Sequence, residues 1–322
     1  MQQRANIAQA GDGFIKARPG ARPGPGKRTH TVAQTVAQTV ATAAATLIVM
    51  SMLAGCASVS PQRSVDEDGA FVSAPLEIDG STHRATWYLP RGDATALLVL
   101  QHGFTRRCSH LRETTRQLMV GGLMALCIDA AMAGGNLSLA DALAAGLAAG
   151  LAAPGGRPLP QQVIVGGHSA GGRFAVRLGA QLAELAPQRL AGALLFDPVA
   201  TAGFEAELRA VSAAGARPVL ALFAQAHVCN ARLNALPALR QVRQDALAAG
   251  RSGFVGLRLK GASTHADVEG EDTDWLAVAA CGRPQPENTA SLRALALSWA
   301  QAVASGEEPT APPADDAWQL IE

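Results

Sequence analysis

The feature that most constrains this chain is an alternation of short apolar runs with longer segments of helical pattern. The runs at 96–101, 123–128, 163–166, 191–196, 218–223 and 254–259 are almost continuously apolar. That is the pattern of a strand buried on both faces, where an alternating pattern would mean one wet face. Helical stretches fall between or after them, at 109–120, 137–152, 170–185, 204–213, 233–248 and 291–304. Strands separated by helices pair in parallel through right-handed crossovers. Two earlier runs, 71–78 and 83–89, have only the turn Asp79-Gly80-Ser81 between them and predict an antiparallel hairpin at one edge. The expectation is one α/β domain with a mostly parallel eight-stranded sheet, helices on both faces and no large cap domain. The helical segment containing LAAGLAAGLAA is low in complexity and reads as an alanine-rich surface helix.

The first 56 residues read as an address. Lys27-Arg28 precedes the polar repeat TVAQTVAQTV and the apolar stretch ATAAATLIVMSMLAG, which ends in Leu53-Ala54-Gly55-Cys56. A basic start, a short apolar region and small residues at the cut describe a secretory signal. The last four residues resemble the lipobox of bacterial lipoproteins, whose cysteine is lipidated and becomes the new N-terminus. The alternatives are an ordinary signal peptide or a short membrane anchor. The resemblance implies a signal peptide over 1–55, lipidation of Cys56, and tethering to a membrane surface rather than spanning. Ala57 and Ser58 follow where an inner-membrane retention signal would have aspartate, which favours the outer membrane. The remaining organisation is a linker over 57–70, the domain over 71–305, and a mobile tail over 306–322 carrying Pro309, Pro312 and Pro313.

Charge and ring content exclude other classes. The formal net charge is +1 and aromatics are 4%. Removing the six bases and one acid of the leader leaves 21 bases and 25 acids. Neither a basic nucleic-acid surface nor a platform of stacking rings fits these values.

The chemistry gathers at loop positions. Gly167-His168-Ser169-Ala170-Gly171 directly follows the run VIVG and precedes a helix. A serine on so sharp a strand-to-helix turn stands out over the sheet edge. In this context the motif resembles the nucleophile elbow of the α/β-hydrolase superfamily. That resemblance implies the chain order serine, acid, histidine, with the histidine after the last strand. Of the six histidines beyond the leader, His265, in STHAD after GFVGLRLK, fits; His227 is the runner-up. Two backbone N–H groups would form an oxyanion hole, one from Ala170 and one from Phe104 in the loop Gln101-His102-Gly103-Phe104. Segment 218–244, where many members of the superfamily keep the acid, holds no aspartate or glutamate. Asp197, in FDPVA after the sixth run, is therefore the candidate acid; its alternative is a turn or cap residue before Pro198.

The set HGF, GHSAGG, FDPVA and STHAD resembles the chlorophyllase-like and platelet-activating-factor-acetylhydrolase-like branch, related to polyester hydrolases. The resemblance runs from about Leu97 to Gly282 and implies cleavage of carboxylic esters by a serine triad without a cofactor. The whole reads as an exported, lipid-anchored serine hydrolase acting through an acyl-enzyme on esters, lipid or polymeric ones included. The alternatives are a non-catalytic surface-anchored binding protein of the same fold and an acyltransferase. No metal is indicated, since HExxH, CxxC and EF-hand spacings are absent.

Other charged residues take blander readings. Asp129 reads as a loop-stabilising residue, and Arg106, Arg107 and Arg173 as surface charges. The acidic run Asp267, Glu269, Glu271, Asp272 and Asp274 reads as a solvated loop or a weak cation site. Besides Cys56 there are four cysteines, Cys108, Cys127, Cys229 and Cys281, an even number that suggests disulfides in an exported protein. The loops after the last two strands share one sheet edge, which predicts a Cys229–Cys281 bridge. Cys108 and Cys127 are left to pair or to remain thiols.

Overall fold

The computed structural model describes residues 62–65, 69–313 and 316–322. The signal segment, Cys56 and most of the predicted linker lie outside them. Ten strands form one sheet: β1 (Gln62–Val65), β2 (Gly69–Ile78), β3 (Ser81–Pro90), β4 (Leu97–Gln101), β5 (Met124–Asp129), β6 (Val163–His168), β7 (Leu190–Phe196), β8 (Val219–Phe223), β9 (Gly256–Leu259) and β10 (Trp318–Leu320). Their order across the sheet is β1-β2-β3-β5-β4-β6-β7-β8-β9-β10. From β5 to β9 all pairings are parallel; the outer pairings are antiparallel at both edges.

The eight predicted strands are all present, and the sheet adds one at each edge. β1 lies in the stretch read as linker and pairs with β2. β10 lies in the stretch read as a mobile tail and pairs with β9, with Ile321 buried beyond it. Both are short and partly polar, so no apolar run marks them; the exposed ladder of the neighbouring strand is what orders them.

The continuous apolar runs divide strictly by parity. Leu97, Val99, Val163, Val165, Ala193, Leu195, Val219 and Phe223 pack into the core on one face. Leu98, Leu100, Ile164, Leu194, Phe196, Leu220 and Leu222 pack into a second core on the other. Helices α2 (Leu137–Ala148), α3 (Ala170–Leu185), α4 (Phe204–Ser212) and α5 (Leu236–Ala248) contribute to the first core. Helices α1 (Arg112–Val120) and α7 (Pro286–Ser305) contribute to the second, where Trp299 meets Phe254 edge to face. A seven-residue helix, α6 (Trp275–Cys281), lies between β9 and α7 and was not predicted. The helix read as a surface element buries Leu139, Ala140, Leu143, Ala144 and Leu147, and stops at Ala148, short of the predicted 152. Among the described residues no cap domain interrupts the sheet.

Deleting residues 316–322 should lower the melting temperature measurably. The deletion removes the β10 ladder and uncovers the pocket of Ile321, a side chain whose full burial contributes about 1.5–3 kcal/mol. Thermal melts of the full and shortened chains check this; identical melting would make the segment the loose tail that the sequence predicts.

Candidate active site

The loops after β4, β6, β7 and β9 meet at the C-terminal edge of the sheet, where open α/β sheets present their binding sites. Ser169 joins β6 to α3 with φ 57° and ψ −121°, outside the ordinary wells of a non-glycine residue. Gly171 makes that turn possible: a Cβ there would lie 2.2 Å from the Gln101 carbonyl oxygen. The elbow thus presses directly on the end of β4. There the Gln101 side chain donates to the Ile128 carbonyl (2.6 Å) and accepts from the Ile128 N–H (3.2 Å), bridging β4 to β5.

The three predicted triad positions line or support one site. His265 Nδ1 lies 2.6 Å from Asp197 Oδ2, and the aspartate is 4% exposed. Asp197 follows β7 in the left-handed region (φ 45°) and also accepts from the Ala224 N–H and the Asn230 side-chain amide. Since a carboxylate only accepts, His265 donates to Asp197 from Nδ1. Ser169 and His265 line a cavity of about 210 Å3 together with Phe104, Thr105, Arg106, His168, Glu269, the α6 face Leu276, Ala277 and Ala280, and the Cys229–Cys281 bridge. Ala170 opens α3, whose first N–H groups have no partner within the helix. His227, the runner-up, accepts from the Cys229 N–H and so caps a one-turn 3₁₀ helix, Val228–Asn230.

Asn230 was not foreseen. It is fully buried, donates to both Asp197 oxygens (3.1 and 3.0 Å) and to the Gln225 carbonyl, and accepts from the His227 and Leu233 N–H groups. Its one signal in the sequence is its place next to Cys229, in the acid-free segment where many relatives of the predicted fold keep the acid. It holds the carboxylate rather than replacing it.

Two of the three surface-charge readings need correction, while Arg107 is exposed as expected. Arg173 is 1% exposed; it pairs with Glu207 and donates to Thr201 and Ala202. Arg106 donates to both Glu269 oxygens and to Asp274. The acidic run is solvated only in part: the Glu271 and Asp274 side chains are 59% and 40% exposed, while Asp267 and Glu269 are buried. Asp267 is buried, accepts from Thr264 and Gln285, and has its carboxyl pushed above the usual range by burial. Glu271 pairs with Arg293, and Asp272 accepts from the Glu113 N–H. Asp274 caps α6 by accepting from the Ala277 N–H. Each acid of the run has a partner, and together these contacts tie down the loop that carries His265. Asp129 accepts from the Cys108 N–H and steadies the loop after β4, as read.

His168, inside the elbow, is buried, and its pKa is held well below the ordinary imidazole value by burial and then by His265. Its ring lies 4.4 Å from that of His265, and Nε2 donates to the His265 carbonyl at 3.0 Å. His102, Cys108 and Asp129 bring ligand-type atoms within 4.8 Å of one another. The Cys108 sulfur, however, is bonded to Cys127, so the set does not fit a metal.

Both disulfides are formed: Cys108–Cys127 and, as the shared edge suggested, Cys229–Cys281. The second spans 52 residues and joins the Asn230 turn to the end of α6.

No protein-family model matches the chain, and no curated protein does. Its likeness is to solved structures. A dienelactone hydrolase from Anabaena variabilis superposes with a TM-score of 0.51 at 15% identity, covering 75% of this chain and 97% of its own. An esterase from Pyrobaculum calidifontis superposes at 0.52 and 16% identity, covering 88% and 95%. At such identity the likeness is one of fold, and this chain has the α/β-hydrolase fold, with ten strands among the described residues and antiparallel edge pairs.

Replacing both Cys229 and Cys281 by alanine should destabilise the protein by about 4 kcal/mol, the loop-entropy value for a closed segment of this length. Denaturant melts of the oxidised wild type and the double variant check this, and equal midpoints would contradict it.

Proposed function

We propose that this chain is a serine hydrolase of carboxylic esters. The observation that carries the reading is the buried Asp197–His265 hydrogen bond opening into the same cavity as Ser169 on its strained turn. Ser169 Oγ attacks the ester carbonyl while His265 Nε2 takes its proton and passes it to the leaving alcohol. Asp197 keeps the imidazole oriented and stabilises its charged form. The oxyanion is received by the N–H groups of Phe104 and Ala170. Water, activated by the same histidine, then releases the acid from the acyl-enzyme. The motifs HGF, GHSAGG, FDPVA and STHAD support placement in the chlorophyllase-like and acetylhydrolase-like branch.

The surroundings of the cavity support bulky, apolar substrates, lipid or polymeric esters among them. Phe104 and Leu276 line it and are 60% and 54% exposed. Trp275 and Val228, each next to a lining residue, are 79% and 64% exposed. Large apolar groups left in water around a catalytic mouth fit an apolar partner surface. The lipobox-like Leu53-Ala54-Gly55-Cys56 supports export and anchoring through a lipid on Cys56, with the outer membrane favoured by Ala57 and Ser58.

Two tests follow. A fluorophosphonate probe should label Ser169, and Ser169→Ala should abolish labelling while lowering turnover of p-nitrophenyl esters by about 10⁴-fold or more. A folded wild type that turns over no ester of a chain-length series would leave the non-catalytic binding protein as the reading. For the anchor, Cys56→Ala should move the protein from the membrane fraction to the soluble one, because the acyl chains supply most of the attachment; unchanged fractionation would mean an uncleaved apolar segment.

A further inference from the structure

We infer that Arg106 is a positioning residue for the oxyanion hole, setting the Phe104 N–H against Ser169 and His265 through its pair with Glu269. The inference rests on the ester-hydrolase reading above. The Phe104 side chain cannot hold its own backbone in place, since it is 60% exposed. Thr105 follows at φ 58°, a conformation that a β-branched residue keeps only where its surroundings enforce it. One backbone hydrogen bond closes the turn, from the Arg106 N–H to the Gly103 carbonyl at 3.2 Å. The firm attachment is the Arg106 side chain. Its Nε and one terminal nitrogen donate to the two Glu269 oxygens at 2.8 and 2.5 Å, and the other terminal nitrogen donates to Asp274 at 2.8 Å.

This pair is buried, with side-chain exposures of 9% for Arg106 and 2% for Glu269. A planar fork on a planar carboxylate fixes angle as well as distance, which a single ammonium contact does not. Burial works against the guanidinium charge, but Glu269 and then Asp274 outweigh it and leave the group more firmly protonated than usual. Glu269 sits four residues beyond His265. It also faces His168, whose Nδ1 lies 3.8 Å away and whose Nε2 donates to the His265 carbonyl. One buried carboxylate thereby links the oxyanion loop to the base loop. Through Asp274 the same arginine reaches the N-terminus of α6, a wall of the cavity. Without Arg106, Glu269 is a buried charge with no cation, and the loop bearing Phe104 loses its hold.

An oxyanion donor acts mainly in the transition state, so displacing it lowers kcat more than it raises KM. The experiment uses the full chain as wild type, Arg106→Ala, Arg106→Lys and Glu269→Gln. Active sites are counted by fluorophosphonate titration and turnover is measured on p-nitrophenyl butyrate. Arg106→Ala should lose about 10- to 100-fold in kcat per titrated site with KM within about 3-fold. Binding of a trifluoromethyl ketone, which mimics the tetrahedral state, should weaken by the same factor as kcat/KM. Arg106→Lys keeps the charge and should restore the melting temperature but only part of kcat, so the test stands even if the alanine variant fails to fold. Unchanged kcat per titrated site in the lysine and glutamine variants, or activity lost only in step with titratable sites, would overturn the inference. A wild type that neither titrates nor turns over ester would instead sink the hydrolase reading on which it rests.

Discussion

A strand buried on both faces has nowhere to put a polar side chain except at its ends. In β4 through β8 the residues facing either way are apolar almost without exception, and each parity feeds a separate core. Parallel pairing gives the central strands one direction, so their polar continuations leave from a single edge. Ser169, Asp197 and His265 follow β6, β7 and β9 in that way, and the Phe104 loop follows β4. Among the described residues these groups stand where the buried strands end, so the location of the site is a consequence of the cores rather than an addition to them.

The sheet brings these loops together but does not determine their shapes. A loop that crosses an edge has no ladder to direct it, and here directional polar contacts take that role. Asp197 is oriented by the Ala224 N–H and the Asn230 amide before it meets His265. The His265 loop is tied at Asp267 to Thr264 and Gln285, at Glu269 to Arg106, and at Val268 to the Thr114 hydroxyl. A disulfide closes the wall formed by α6. Buried charges are costly unless paired or fully hydrogen-bonded; Glu269 is paired with Arg106, and Asp267 is held by several N–H and hydroxyl donors. Their geometry is therefore specified closely, as a site built for a narrow set of distances requires.

What was legible in the sequence was local. The strand runs at 163–166 and 191–196 lie within two residues of β6 and β7, and α3 spans the predicted 170–185. Hydrophobic period and turn chemistry act within a few residues, so they can be read from a few residues. The order serine, acid, histidine followed once the elbow resembled that of a known fold, and Asp197 followed from the absence of acids in 218–244. The short edge strands β1 and β10 escaped, because their order comes from the neighbour they pair with and not from their own apolar content. α6 escaped because its seven residues lie between an acidic loop and Pro284, too few to show a period.

By itself the sequence determined the layered α/β sheet, the strained turn at Ser169 and the sheet edge at which chemistry gathers, since each rests on backbone geometry and on residues adjacent in the chain. Only the tertiary structure decided which charges are structural. Arg106, Arg173 and Glu269 look alike to any reading of surface polarity, yet Arg173 and Glu269 are buried and Arg106 largely so, because their partners come from other segments of the chain, 163 residues away for Arg106 and Glu269. It also decided that Cys108 joins Cys127 and that Asn230 holds the acid. Such choices depend on distance through space, which the fold sets and the spacing of residues along the chain does not.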